Sequence, residues 1–398
     1  MSSGALSHVR VLDLSRALSG PYCSMLLADQ GADVIKIEAP GGGDVTRHLR
    51  PYVNGEGVEF LALNRNKKSI VLDLKSESGR QAFLDLVAVS DVVLENMRPG
   101  VVDRLGVGYA AANAVNPRIV YCSISGFGSS GPLRDLPAYD IVVQGMSGTM
   151  SLTGEPGRPP VMMGPPMGDL AAGVFAALGI TTALTARGQT NRGRYVDISM
   201  LDCQISLLAY FGPWYMATGE VPQPRGGGNP RLVPFGVFRA RDAYITVGVL
   251  GEEPWQRFCK AAELDHLLED PRFATNELRS EHRAELLPVV ERAFLGRDAE
   301  DWIRRLRVAD IPCGPVNTVD RALATEQVHH RNMVVETHHP VAGAVRVLGN
   351  PVKLSDSPDE FLPAPTYGQH TREILSGLLG YTDEEVAKVV GSEPAGAR

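Results

Sequence analysis

One carboxylate stands out by its setting. The stretch Met162-Met163-Gly164-Pro165-Pro166-Met167-Gly168-Asp169 brings an aspartate to the head of an Ala- and Leu-rich run over 170–186. The prolines and glycines ahead of it forbid helix and make a stiff approach, whereas the run behind it has the composition of a buried helix. Asp169 therefore reads first as a helix N-cap, a position Asp favours. The dipole of that helix would favour the ionised form by roughly 0.3–1 kcal/mol. An ionised carboxylate can also attack an activated carbonyl, so cap and nucleophile both fit the residue type and its spacing.

Other candidates surround it in the sequence. Arg47, Lys75, Arg98 and Arg104 fall in or near loops at expected strand ends, where α/β sheets bind ligands, and a phosphorylated ligand would use them. Taken singly, long basic side chains in loops are mostly solvated. Glu95-Asn96-Met97-Arg98-Pro99-Gly100 is a polar, constrained turn directly after an expected strand. Ser125-Gly126-Phe127-Gly128-Ser129-Ser130-Gly131-Pro132 could let the backbone approach a bulky ligand. Tyr139 and Asp140 follow, with Gln144 one turn beyond Asp140 if the two share a helix. The pairs His329-His330 and His338-His339 lack companions at metal-ligand spacing, and adjacent side chains point apart, so they are expected at the surface and no metal is expected. Cys313, in Ile311-Pro312-Cys313-Gly314-Pro315-Val316, has no evident base partner and reads as a structural thiol; a Gly-x-Ser-x-Gly elbow is absent.

The elements that must carry these residues follow from periodicity. Strands are expected over 9–14, 33–38, 69–74, 91–95 and 118–123, with helices over 21–29 and 77–89 between them. Such βαβ repetition predicts an open, doubly wound parallel sheet in a large α/β domain. Its first turn, Asp13-Leu14-Ser15-Arg16-Ala17-Leu18-Ser19-Gly20-Pro21, lacks Gly-x-Gly-x-x-Gly, so neither NAD nor flavin is expected despite Glu38 at the end of the second strand. A strand over 194–199 and a helix over 200–218, kinked at Pro213, come next. The Pro- and Gly-rich stretch 219–234 marks a linker or mobile loop. A hairpin turning at Arg241-Asp242 and several helices then predict a smaller α+β domain over 226–330, leaving 1–225 and 331–398 to the large domain. A strand over 345–348 and a helix over 371–379 return the chain to the large domain, and 391–398 is expected to fray.

Composition narrows the partners. The chain has 398 residues, 44% hydrophobic and 21% charged, which is the balance of a globular protein with room for two cores. A net charge of −7 without a basic stripe argues against nucleic acid. The five cysteines are odd in number and scattered, as free thiols of a reducing compartment are. The most apolar stretch, 171–186, falls short of the ~20 residues of a membrane span, and no leader pattern is seen. The expectation is a cytoplasmic protein without a membrane anchor.

Taken in order, the motifs resemble those of the family III coenzyme A transferases. The matching pieces are Val11-Leu12-Asp13-Leu14 with Ser19-Gly20-Pro21, Gly31 through Glu38, and Asn64-Arg65-Asn66-Lys67-Lys68-Ser69-Ile70. They continue with Glu95-Asn96 to Gly100, Asp103-Arg104-Leu105-Gly106, Gly168-Asp169 and Ile311 through Val316. The resemblance spans about 9–351 and implies a large Rossmann-like domain, a smaller domain, and an interlocked homodimer. It implies acyl-CoA and a small carboxylic acid as substrates, with Asp169 as the catalytic carboxylate that forms a covalent aspartyl intermediate. It places Ala17, Leu72, Lys75, Asn96, Met97, Arg98, Arg104 and Tyr139 at the coenzyme site, and Gly226, Gly227 and Gly228 in a loop that covers the active site. Ala17-Leu18-Ser19, Ala39 and Pro137 depart from the formyl-CoA branch, which puts the formyl and oxalate substrates in doubt. The α-methylacyl-CoA racemases share the fold but carry an acid/base histidine where this chain has Tyr139. Tyrosine, with a reference pKa near ~10 against ~6.5 for histidine, serves proton abstraction poorly at neutral pH.

Overall fold

The computed structural model describes residues 4–355 and 360–390; the stretch 391–398, expected to fray, lies outside them. The described residues form two compact units. One draws on residues 4–149, 162–217, 326–355 and 360–390, the other on Met150–Val161 and Thr218–Thr325.

In the first unit six strands form one parallel sheet: β1 (Arg10–Asp13), β2 (Asp33–Glu38), β3 (Lys67–Val71), β4 (Val92–Glu95), β5 (Val120–Ser125) and β6 (Tyr195–Ser199), in the order β3-β2-β1-β4-β5-β6. This is the doubly wound order, and it reverses direction between β1 and β4. Consecutive residues of each strand serve opposite faces. Val11, Val34 and Val92 pack with Leu27 of helix α1 (Ser19–Asp29) on one face. Leu12, Ile35 and Val93 pack on the other, with Phe83 and Leu86 of α2 (Glu77–Ala88). Ile374 and Leu375, on the helix over Thr371–Leu379, join this second face, so the end of the chain seals the sheet laid down at its start.

Helix α3 (Asp140–Met146) and the long α4 (Met167–Thr190) follow β5. With 24 residues α4 overruns the expected 16-residue apolar stretch, so the argument that it is too short for a membrane does not hold: it is long and apolar enough to cross one. Here Ala172, Ala176, Ile180 and Ala183 bury one face of it against the sheet and α1. Small residues make that packing close, and a Cβ on Gly173 would lie 2.8 Å from the Ser19 carbonyl oxygen on α1. The helix expected over 200–218 is two helices, α5 (Met200–Ser206) and α6 (Phe211–Thr218). The break falls before Pro213, at Ala209 with φ 48°, because proline in the first turn of α6 interrupts no helical hydrogen bond.

The second unit contains the antiparallel sheet β9-β8-β7, made of β7 (Phe235–Arg239), β8 (Tyr244–Gly248) and β9 (Cys313–Pro315). The expected hairpin forms, and Trp255, Phe258, Phe294 and Trp302 build the core beneath it. In the first unit β10 (Val334–His339) pairs with β11 (Gly343–Leu348). His339 is not at the surface as expected: strand alternation turns it inward, where its Nδ1 accepts from the backbone N–H of Val341 and Ala342 at 3.1 and 3.0 Å.

Candidate active site

A crevice opens where the sheet order reverses, between the loop after β1 and the turn after β4. The Asn96 side chain joins the two. Its Oδ1 accepts from the Arg16 N–H at 2.8 Å, while its Nδ2 donates to the Arg16 carbonyl at 2.8 Å and to Ser19 Oγ at 3.2 Å. Ala17 holds a left-handed backbone, φ 62°, an uncommon conformation for a residue with a Cβ. Its N–H donates to Asp44 Oδ1 at 3.3 Å.

A buried ionic floor supports this loop. Lys36 Nζ donates to the Ser15 carbonyl at 2.9 Å and pairs with Asp44 at 2.9 Å. Lys67 Nζ lies 3.3 Å from Asp13 and donates to the Pro21 carbonyl and Asn64. Burial pushes the Lys67 ammonium down to about 8; burial would raise Asp13, but Lys67 and Lys36 overrule it and hold that carboxyl low. Arg47, expected as a phosphate ligand, is committed elsewhere. It is buried, bonds Glu38 at 2.8 and 2.7 Å, and lies 3.5 Å over the Phe60 ring. Glu38 is equally occupied and also accepts from Ser69 Oγ at 2.6 Å.

Asp169 does not cap α4. It is the third helical residue, the cap position falls to Pro166, and no side chain caps from there. Asp140, at the head of α3, does that work: its Oδ1 accepts from the Gly168 N–H at 2.6 Å and its Oδ2 from Gln144 Nε2 at 2.6 Å. Gln144 Oε1 in turn accepts from the Met163 N–H at 2.9 Å, which fixes the approach to the helix. Asp169 is not held low by the dipole either. Burial, then the charge of Asp140, push its carboxyl up to about 6, with the Ser19 hydroxyl acting in the opposite sense and Glu59 adding a smaller rise. A dipole worth roughly 0.3–1 kcal/mol cannot cancel a displacement of that size.

Two cavities occupy the crevice. One, of about 350 Å³, is lined by Arg16, Ala17, Ser19, Asn96, Tyr139 and Asp169, with Met97 and Arg98 at its border. The other, of about 310 Å³, is bounded by Leu72, Lys75, Met97 and Leu105, and Arg16 borders both. Of the sequence candidates, Arg104 lines neither; its guanidinium lies against Gly100. Gly226, Gly227 and Gly228 belong to the second unit, where the Gly226 N–H donates to the Gly154 carbonyl at 2.8 Å and the Gly227 carbonyl accepts from the Val237 N–H of β7 at 3.0 Å. Among the described residues no cluster of His, Cys, Asp and Glu is arranged to hold a metal ion.

Sequence reasoning left Ser19, Asp13, Lys36, Asp44 and Lys67 without a role. Lys36 and Lys67 carried a signal nonetheless, since charges in apolar strands of a sheet covered on both faces must meet buried partners.

The doubly wound sheet places Asp169 and two adjoining cavities at its switch point. Residues 6–371 match CoA-transferase family III, and the chain belongs to that family. It is 40% identical over 365 residues to the acetyl-CoA:oxalate CoA-transferase of Acetobacter aceti, covering 91% of this chain and 92% of the relative. It is 36% identical over 389 residues to the succinyl-CoA:glutarate CoA-transferase of Mus musculus, covering 97% and 89%. A crystal structure of a CaiB/BaiF family protein from Brucella suis superposes with a TM-score of 0.84 at 34% identity, over 94% of this chain and 99% of that one. The protein is an enzyme, a CoA-transferase.

Proposed function

We propose that the enzyme moves coenzyme A from an acyl-CoA to a small carboxylic acid through Asp169. One Asp169 oxygen attacks the donor thioester carbonyl, and the C–S bond breaks to release coenzyme A thiolate and leave a mixed anhydride. The thiolate attacks the aspartyl carbonyl and expels the donor acid, which gives an aspartyl-CoA thioester. The acceptor carboxylate attacks that carbonyl, the thiolate leaves again, and its attack on the acceptor acyl carbon delivers the new acyl-CoA and restores Asp169. Each step exchanges one nucleophile for another at a carbonyl, so one difficult transfer becomes several easier ones.

The observation that carries this reading is the position of Asp169 in the crevice cavity beside Asn96 and Ser19, the only carboxylate among the residues that line it. The adjoining cavity offers the apolar side chains of Leu72, Met97 and Leu105 to an adenine and the cations Arg16 and Lys75 to its phosphates; of the carboxylates that also line it, Glu38 and Asp44 are paired with Arg47 and Lys36, and Asp73 is the third. Contacts to those remote groups supply binding energy that is used at the reacting carbonyl. Relatives named for succinyl-CoA with glutarate and acetyl-CoA with oxalate favour a dicarboxylic acid on one side of the exchange.

The homodimer in this reading draws support from apolar side chains that the first unit leaves uncovered. Met162, Tyr210 and Tyr215 are 51%, 43% and 52% exposed, and Leu178 on α4 is 58% exposed. Exposed apolar side chains of this size are ones that a subunit interface would cover. Light scattering should give twice the chain mass.

The test is mass spectrometry after incubation with a panel of succinyl-, acetyl- and formyl-CoA and trapping with hydroxylamine. Asp169 should carry the modification, and Asp169→Asn should bind coenzyme A without turnover. Transfer retained by Asp169→Asn overturns the proposal.

A further inference from the structure

The Asp169 carboxylate is not alone in the crevice. Ser19 stands at the first position of α1, is 4% exposed, and lines the same cavity as Asp169, where its hydroxyl acts to lower the Asp169 carboxyl. Asn96 determines which way that hydroxyl points. The two hydrogens of its amide are spent on the Arg16 carbonyl and on Ser19 Oγ, while its Oδ1 is spent on the Arg16 N–H. Ser19 Oγ therefore accepts from Asn96, and its own proton is left to donate. The close packing of α1 on α4 at Gly173 holds the two helices at a fixed distance. Asn96, on the turn after β4, thus leaves the hydroxyl at the head of α1 with a proton to donate in the cavity that Asp169 also lines.

We propose, on the reading that Asp169 is the nucleophile, that Ser19 is a positioning residue: backed by Asn96, its hydroxyl donates to one carboxylate oxygen and leaves the other to face the thioester in the ionised form. A hydrogen bond to a charged group favours that charge, and the donor works against the burial and the Asp140 charge that protonate the same carboxyl. It also removes one of the rotations that would turn the attacking oxygen away. Neither Ser19 nor Asn96 gains or loses a proton in the transfer steps.

The test is single-turnover formation of the trapped Asp169 adduct between pH 5 and pH 8.5, with an acyl-CoA from the panel above, in the wild type, Ser19→Ala and Ser19→Thr. Removing the donor should move the acid limb of Ser19→Ala upward by about one pH unit, so that its rate is about fivefold lower at pH 6 and rejoins the wild type above pH 8. Ser19→Thr should restore the limb, and the KM for coenzyme A should hold in both. An unmoved limb in Ser19→Ala overturns the inference. So does a loss equal at every pH that threonine fails to repair, since that would mark a purely structural role. A wild-type protein that forms no adduct at Asp169 refutes the transfer reading itself, and this outcome is told apart because it concerns no Ser19 variant.

Discussion

Replacing Asp169 by asparagine should make the protein more stable, by an amount that depends on pH. A carboxyl moved from 3.8 to about 6 carries roughly 3 kcal/mol of difference between its two protonation states. Part of the carboxylate faces the crevice and its solvent, so about 1–2 kcal/mol of that is expected to reach folding stability. The sign follows from linkage. A carboxyl whose folded pKa lies above its unfolded one binds protons on folding, so the wild type loses stability as pH rises from about 4 to about 6, and above that the loss is complete. Asparagine escapes this loss. Chemical denaturation at pH 5, 6, 7 and 8 should show a gain of about 1–2 kcal/mol for Asp169→Asn at pH 7–8 that shrinks towards zero near pH 4. Stabilisation on removal of a functional group is the mark of a site held in a strained state for its chemistry. If Asp169→Asn were less stable than the wild type at pH 8, or differed from it equally at every pH, burial would not be what raises this carboxyl.

Arg47→Ala should cost about 3–5 kcal/mol in the same measurement, because it leaves Glu38 charged and buried without its main partner. Asp140→Asn removes a like charge beside Asp169, so the acid limb of adduct formation should move to lower pH by less than one unit, measured by the trapping assay. Turnover of a 2-methylacyl-CoA in deuterated water should leave its α-hydrogen unexchanged. Deuterium appearing there at the rate of turnover would favour racemase chemistry over transfer, against the reading of Tyr139.

What could be read in the sequence was whatever repeats. Apolar strands alternating with amphipathic helices repeat, and from them the parallel sheet and the helices on both its faces follow, down to the closing helix over Thr371–Leu379. The place of Asp169 at the head of α4 was equally plain, because prolines and glycines announce a helix start locally. Its chemistry was not. Cap preference averages over helices whose first turn is wet, and there an aspartate bonds a free N–H and stays ionised. In this fold Asp140 arrives from another helix and takes the Gly168 N–H, so Asp169 is released from capping and left to the desolvation of the crevice. Arg47 failed as a phosphate ligand for a related reason: its loop looked solvent-facing, but Phe60 and Glu38, near it in sequence, fold over the guanidinium. In both cases the deciding contact joins residues on different elements, and neither propensity nor spacing reports it. The same holds for Ser19, which stands in the sequence as part of a matching motif but with no chemistry of its own. It acquires a task only when β4 brings Asn96 to one side of it and α4 brings Asp169 to the other.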